Sequence, residues 1–561
     1  MDKLKPKLFS VLKTYTLAQF GKDVVAGIIV AIIALPLSIA LALASGVTPE
    51  MGIYTAIFAG FVISFLGGSR VQISGPTAAF ATIVAGVVAA NGIEGLMIAT
   101  LMAGVILILM GVLRLGKLIK FIPYPITIGF TAGIAVTIVI GQIKDFLGLT
   151  IVSEHPLIET TEKLMGVVEN IATFNWQALV VGSVSLLVLI LWPLLPGIFK
   201  KIPASLIAVL VGIAMVMGFS MKVNTIGDLY AITEGFPKII FPEFNNKTAE
   251  LAKAVLPDAF TIAVLAAIES LLSCVVADGM IGSRHRSNME LVAQGAGNIT
   301  SALFGGIPAT GAIARTAANV KNGGRTPIAG MVHSVVLLLV LLVLMPYAAL
   351  IPMPTIAAIL FMVAYNMCGW RTFVRICKTA PRSDVLVLVV TFVLTVVFDL
   401  VVAIAVGILL AAVLLLKRMS DVTHVEGWKD GSISEELANV PANAMVYEIT
   451  GSLFFGAADE LLSINAGEGK NCLILRMVKV GFVDGTVLHN LESLVETCKA
   501  HDVQIILSHV NAQPYAAMKK AGIIDLVGEE FICEHIDAAL AKAASLATAT
   551  SLAPATETAT V

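Results

Sequence analysis

Residues 265–274 read LAAIESLLSC, and Glu269 is the one acidic residue between Ala259 and Ala277. Twelve residues past Pro257 is roughly 18 Å of helix. If this helix crosses a bilayer, a carboxylate therefore sits about halfway through it. An ionisable group at that depth is expensive and by default marks an ion or substrate pathway. The structural alternative is a Glu bonded to a helix end or paired with Arg315. Two functional readings remain beside it. Glu269 takes up a proton with an anion, which also removes like-charge repulsion, or it joins the hydroxyls of Ser270 and Ser273 around Na⁺, a hard cation that takes oxygen ligands.

A second chemistry is carried by backbone. SGPTAA (74–79) and PATGA (308–312) each begin with residues poor for helix interiors and continue with helix formers. Pro76 fits a first helical turn, and Thr77 or Thr310 can cap free N–H groups. Two helix starts near the bilayer midplane turn two positive ends toward one cavity, which favours an anion. The small residues Gly75, Ala78, Ala79, Ala309, Gly311 and Ala312 let backbone N–H groups approach the ligand. Packing glycines are common in membrane helices, so one such cluster says little. Two at matching positions point to a binding site.

The elements that position these residues follow from composition. The 561-residue chain is 58% hydrophobic and 13% charged, with a net charge of −2, where a soluble protein carries about 25% charged residues. The deficit runs from about residue 23 to 417 and then ends. Apolar windows fall at about 24–44, 51–66, 72–90, 95–113, 122–143, 177–195, 203–220, 256–277, 287–303, 309–320, 325–345, 348–367, 383–398 and 400–416, fourteen in all. With the Lys-rich N-terminus inside, every even-numbered loop is basic: Arg70; Arg114, Lys117 and Lys120; Lys200 and Lys201; Arg284 and Arg286; Lys321 and Arg325; Arg371, Arg375, Lys378 and Arg382; Lys417 and Arg418. The short odd loops carry Glu50, Glu94 or Asp399 and no Lys or Arg. This asymmetry predicts fourteen spans with both termini cytoplasmic.

The punctuation repeats. A span with Pro36 and Ser38, a second span and then GGSRVQISGPTAAFATIV (67–84) match a span with Glu269 and Ser270, a second span and then FGGIPATGAIARTAANV (304–320). Seven spans per half, an odd number, invert the second half against the first. Asn288, Glu290, Gln294 and Asn298 recur on one face of span nine, which predicts contact with protein or a cavity rather than lipid.

DVVAGIIVAIIALPLSIALALASGVTPEMGIYTA (23–56), GGSRVQISGPTAA (67–79), IESLLSCVVADGM (268–280) and GGIPATGAIARTAANVKNGGRTP (305–327) resemble the SulP/SLC26 anion transporters. The resemblance implies fourteen transmembrane segments in a seven-plus-seven inverted repeat, a core domain moving against a gate domain, and a homodimer. It places the anion between the facing half-helices of segments three and ten, at Gly75 to Ala79 and Ala309 to Ala312, with the Pro36–Ser38 region and Glu269, Ser270 and Ser273 alongside. Related bicarbonate carriers that use Na⁺ have Asp at position 269 and Thr at position 273. Both differ here, so proton coupling is favoured over Na⁺. Within the family the chain looks most like bacterial carriers of dicarboxylates, bicarbonate or sulfate.

From about residue 443 the periodicity changes. AMVYEIT, SLFF, NCLILRM and VQIILSHV read as strands. AADELLSI, DGTVLHNLESLVETCKA and PYAAMKKAG read as helices, which implies an α/β layer. In position and pattern this resembles a STAS domain, which implies a cytoplasmic regulatory protein as a partner. FVDGTVL (482–488) matches the loop where related anti-sigma-factor antagonists carry a phosphorylatable Ser, so Thr486 is the equivalent position; Asp484 as a helix cap explains the loop without phosphorylation. The expected organisation is an N-terminal segment 1–22, a transport domain 23–418 with repeats at about 23–220 and 255–418, a linker 419–442, a STAS domain 443–545 and a disordered tail 546–561.

The expected function is secondary active transport of a small anion across a bacterial inner membrane, as proton-coupled symport by an elevator-like movement. Na⁺-coupled bicarbonate symport and an uncoupled anion channel are the alternatives. No metal site, cofactor or nucleic-acid partner is expected, and no Ser/His/Asp, metal or nucleotide pattern suggests an enzyme. The six cysteines show no paired metal spacing.

Overall fold

The computed structural model describes residues 4–117, 123–151, 157, 159–196, 202–230, 235–243, 245–398, 400–427, 440–464 and 469–551. Lys120, Lys200, Lys201, Asp399 and the last ten residues of the expected tail lie outside the described residues. The chain forms two compact units, Met1–Ile408 and Leu409–Val561.

The first unit is helical. Helix α1 (Leu17–Ala44) is opened by Thr16, whose hydroxyl accepts from the Gln19 amide at 3.3 Å. Helix α2 (Pro49–Leu66) contains a π-helical turn over Thr55–Ala59, a form that concentrates at functional positions. Strand β1 (Ser74–Gly75) precedes α3 (Ala81–Val112). Then come α4 (Tyr124–Leu147), α5 (Trp176–Leu191), α6 (Ala204–Gly218), α7 (Leu256–Ile281) and α8 (Ser287–Leu303). Strand β2 (Thr310–Gly311) leads into α9 (Ile313–Lys321), followed by α10 (Ile328–Ala348), α11 (Met353–Cys368) and α12 (Arg382–Val397), and α13 (Leu400–Asp421) runs on past Ile408, where this unit ends.

Among the described residues nine helices are long and apolar enough to cross a membrane. Two features separate this number from fourteen. Several apolar windows fold as helices of only 15, 17, 9 and 16 residues, namely α6, α8, α9 and α12. The windows at 72–90 and 95–113 are also joined, since α3 runs through Gly92 at φ 69° and ψ −177°, a break that a side chain would strain.

Packing sorts the helices into two bundles. One holds α1, α2, α3 and α7 to α10; the other holds α4, α5, α6, α11 and α12. Small residues let backbones touch in the first. A methyl group built on Gly295 would collide with the Gly104 carbonyl, so α3 and α8 cross there with no side chain between them.

The second unit is a five-stranded sheet in sequential order: β3 (His424–Gly427), β4 (Ala444–Thr450), β5 (Cys472–Lys479), β6 (Gln504–Ser508) and β7 (Ile532–Cys533). Only β3 is antiparallel to its neighbour. Alternation along β5 builds two cores. Leu473, Leu475 and Met477 face the helix Gly485–Ala500, while Cys472 and Ile474 face the helix Ile536–Ser551.

Three expectations need correction here. Ser452–Phe455 is not a strand; Leu453 makes a single bridge to Val483, and Phe455–Ser463 is a 3₁₀ helix. Strand β3 lies inside the expected linker, because it pairs along β4 from His424 to Gly427. The last helix continues to Ser551, inside the expected tail, through an Ala-rich stretch that favours helix.

Candidate functional site

The site begins where the chain stops being helical. Strands β1 and β2, from opposite halves of the sequence, pair antiparallel, Ser74 opposite Gly311 and Gly75 opposite Thr310. Each then starts a helix: a 3₁₀ turn at Ala78–Phe80 leads into α3, and α9 follows β2 directly. No side chain caps either start, at Thr77 or at Ala312. The expectation that a threonine caps these helices is therefore corrected, because both hydroxyls are used elsewhere. Two helix starts without side-chain caps, on either side of one strand pair, are an arrangement whose positive ends favour an anion.

Thr77 Oγ1 donates to Glu269 Oε2 at 2.9 Å, linking α7 to the first half-helix. The next residue faces the other way. Ser270 Oγ lies 2.8 Å from Thr310 Oγ1 and accepts from the Gly311 amide at 3.0 Å. Thr310 Oγ1 also reaches the Ala266 carbonyl at 3.2 Å. Ser273 Oγ donates to Thr316 Oγ1 at 3.4 Å. Glu269 thus addresses the β1 side, and the two serines address the β2 side.

Arg315 is fully buried on α9. Its Nη2 donates to the Pro76 carbonyl at 3.2 Å, and its Nη1 has no hydrogen-bond partner. A methyl group built on Gly75 would lie 2.6 Å from that Nη1, so the absent side chain at Gly75 is what admits the guanidinium to β1. On the opposite strand, a methyl on Gly311 would collide with Gln72 Nε2. Ala78, Ala79, Ala309 and Ala312 are all buried around the pair.

A second layer holds the crossing in place. Glu290 is fully buried, and its carboxylate accepts from the Gly68 and Ser69 amides at 2.8 and 2.9 Å. It also accepts from Gln72 at 2.8 Å and Gln294 at 3.0 Å. Asn298 pairs with the Ala309 backbone in both directions, at 2.8 and 2.9 Å. Thr55, in the π turn, accepts from the Ile307 amide at 2.7 Å. The polar face of span nine is therefore turned to protein: it carries the extended segments.

Not every expected residue joins this cluster. Pro36 lines an apolar cavity of about 440 Å³ together with Leu35, Ile39, Val209 and Leu344. Ser38 is buried with its hydroxyl unpartnered, and its carbonyl backs onto Gly52. Thr486 is exposed in the second unit, in the first turn of a helix capped by Asp484, which accepts from the Val487 amide at 3.1 Å.

Spacing alone missed Gln72, Glu290 as the support of β1, and Asp23. The last is fully buried and accepts from Thr326 Oγ1 at 2.5 Å and the Arg325 amide at 2.9 Å, some 300 residues away. It also missed Asp278, His285 and Ser287, which sit in line at 2.7 and 3.0 Å and cap the α7–α8 loop, with Asp278 also accepting from the His285 amide.

Comparison with known proteins agrees with this architecture. The model of the Sulfate permease family matches residues 20–391, and that of the STAS domain matches residues 437–543. A Bacillus subtilis relative named "Putative sulfate transporter YvdB" is 41% identical over 530 residues, covering 94% of this chain and 98% of the relative. The "Bicarbonate transporter BicA" of Picosynechococcus sp. is 32% identical over 525 residues, covering 89% of this chain and 90% of the relative. The solved structure of SLC26A9 shares the fold, with a TM-score of 0.85 at 20% identity over 97% of this chain and 93% of that one.

The chain belongs to the sulfate permease (SulP/SLC26) family of anion transporters. It is a multi-pass membrane protein with a C-terminal STAS domain, and its relatives are transporters rather than enzymes.

Proposed function

We propose that this protein moves a small anion, a C4-dicarboxylate, sulfate or bicarbonate, across a bacterial cytoplasmic membrane as proton-coupled symport. The observation that carries this reading is the contact between Glu269 and Thr77, at the start of the first half-helix. It links the proton-accepting carboxylate directly to the positive end that holds the anion. The substrate sits among Gly75, Pro76, Thr77, Ala78, Ala79 and Ala309 to Ala312, with Pro36 and Ser38 on the helix behind them. The names of YvdB and BicA support sulfate and bicarbonate as substrates.

Proton carriage is favoured over Na⁺ because the three oxygen ligands are divided. Glu269 turns to Thr77, while the Ser270 and Ser273 hydroxyls are engaged with Thr310, Gly311 and Thr316. The reading further assigns fourteen spans in two inverted halves, cytoplasmic termini and an elevator-like movement of the bundle carrying β1 and β2 against the other bundle. It also assigns a homodimer and a cytoplasmic regulatory partner for the STAS domain; the loop at Thr486 is accounted for by Asp484 as the helix cap.

Purified protein in liposomes tests this with labelled succinate, sulfate and bicarbonate under imposed proton or sodium gradients. A proton gradient is expected to drive accumulation of at least one of them, and Glu269→Gln to abolish accumulation while the protein stays monodisperse. Uptake driven by sodium alone and indifferent to pH selects the sodium-coupled alternative. Uptake that needs no gradient and survives Glu269→Gln selects the channel.

A further inference from the structure

The residues before α1 and its first turns are the part of the membrane unit that the transport scheme leaves unused. They lie along the bundle that carries β1 and β2 and touch three of its loops. The Lys7 amide donates to the Gly67 carbonyl at 2.8 Å, in the turn that precedes β1, and its ammonium donates to the Arg284 carbonyl at 2.8 Å. Arg286 answers from the α7–α8 loop. Its Nη1 donates to the Lys5 and Pro6 carbonyls at 2.8 and 3.3 Å, and its Nη2 to Ser10 Oγ at 3.0 Å. Gln19 reaches the Gly323 carbonyl, beyond α9, at 3.2 Å. One short stretch therefore straps together the turn before the first half-helix, the loop before α8 and the loop after the second half-helix.

The two faces of this strap differ. Leu8 and Val11, on a single helical turn, are buried against the bundle. Leu4, Phe9, Leu12, Leu17 and Phe20 are exposed, Leu17 at 91%. The open apolar face continues surfaces that belong to spanning helices. Leu17, Val25 and Ile28 lie on one side of α1 at helical spacing, and all are exposed. Phe9 meets the exposed Phe65 of α2 edge to face, with ring centroids 6.0 Å apart. Both α1 and α2 are long and apolar enough to cross a membrane, so the strap sits at the rim of the hydrocarbon.

Its charge has one sign. Residues 4–22 include Lys5, Lys7, Lys13 and Lys22 and no acid. Lys5, Lys13 and Lys22 are exposed, as is Arg284 beside them. The nearest carboxylates are already engaged. Asp23 accepts from Tyr15, Gln19, Thr326 and the Arg325 amide, and Asp278 is bonded to His285. Apolar side chains flanked by lysines at the end of a spanning helix are the pattern of a segment lying in the interface plane, with ammonium groups reaching toward lipid phosphates. We infer that residues 4–22 dock on anionic phospholipids of the adjoining leaflet, the cytoplasmic one in the orientation proposed above, and so tie the bundle carrying both half-helices to that leaflet. This rests on the placement of α1 and α2 in the membrane, and not on the anion carried or the coupling ion.

The test puts a reporter on the strap of the full-length protein in liposomes. The emission of Leu12→Trp, with that of the wild type subtracted, is measured in phosphatidylcholine vesicles. These contain brominated phosphatidylglycerol or brominated phosphatidylcholine at equal mole fraction. The brominated phosphatidylglycerol is expected to quench the added Trp more strongly, and the excess to shrink as salt rises. Replacing Lys5, Lys13 and Lys22 together by Gln in the reporter protein should abolish the excess, since each basic residue near an anionic surface favours it by about fivefold. If that protein is not monodisperse, Lys13→Gln alone decides, with a partial loss expected and no change overturning the inference.

Equal quenching by the two lipids, unaffected by the lysine replacements, would be an apolar contact blind to headgroup and overturns the inference. Absence of quenching by either lipid would mean that protein or water covers the outer face, and overturns it too. Uptake plays no part in this readout. A protein that carries none of succinate, sulfate and bicarbonate would defeat the transport reading and leave the quenching result intact.

Discussion

The two segments that cross at the centre of the membrane unit have the same plan and different chemistry. Each has a glycine pair, a short extended piece, a two-residue strand and a helix without a side-chain cap. The first, 67–80, contributes backbone, a proline and neutral polar side chains: Thr77 reaches Glu269, and Gln72 lies against Gly311. The second, 305–321, brings Arg315, which crosses to the Pro76 carbonyl of the first. Glu269 also comes from the second half. The common plan supplies two uncapped helix starts, and one half supplies both ionisable side chains. In the function proposed above, backbone amides accept many anions, and the asymmetry makes binding responsive to a proton.

The supports differ in the same way. The first segment hangs on a carboxylate, Glu290, with four donors, and the second on the neutral amide of Asn298 and the hydroxyl of Thr55.

Removing the one-sided charge should have the largest effect. Arg315→Gln is expected to raise the KM for sulfate uptake by about 10- to 100-fold, the scale of a lost charge-assisted contact. An unchanged KM in liposomes would mean that the amides suffice and the asymmetry is incidental. Glu290→Ala strands four buried donors and should cost about 3–5 kcal/mol. Asn298→Ala removes a neutral support and should cost about 2 kcal/mol. Thermal unfolding of the two proteins checks the order, and a reversed order would break the contrast between the supports.

The paired glycines sharpen the comparison further. Gly75→Ala pushes on the guanidinium of Arg315, so it should lower sulfate affinity several-fold with little change in melting temperature. Gly311→Ala pushes on Gln72, which Glu290 holds and whose carbonyl accepts from Cys274 at 2.9 Å. Its effect should fall on stability, at about 1–3 kcal/mol. The smallest difference is between the threonines. Thr77→Ala should weaken the pH dependence of uptake, and Thr310→Ala should cost about 1 kcal/mol and leave that dependence intact. Matching pH profiles for Thr77→Ala and wild type would remove Thr77 from the coupling path.

Much of the site was visible in residue order. A lone Glu269 in an apolar run, Gly/Pro/Thr clusters at matched places in two halves, and the polar stripe from Asn288 to Asn298 are all local patterns. Local patterns are what periodicity reports. In the second unit the same logic located Ala444–Thr450, Cys472–Lys479 and Gln504–Ser508 as strands. It failed at Ser452–Phe455, where a short apolar run reads as a strand although its neighbour is a single bridge. It also passed over His424–Gly427, whose pleated form depends on β4 rather than on its own residues.

The sequence by itself determined that the chain is a long apolar helical protein with an α/β end, that Gly/Pro/Thr clusters interrupt the helices at two matched places, and that Glu269 is the lone acid of an apolar run. These follow from composition and spacing, which act over one helix or strand at a time. Only the tertiary structure decided what each interruption touches. Thr77 meets Glu269 across 192 residues, and Arg315 meets Pro76 across 239. Contacts at such separation depend on which helices pack together and how closely, and no local pattern of residues encodes that.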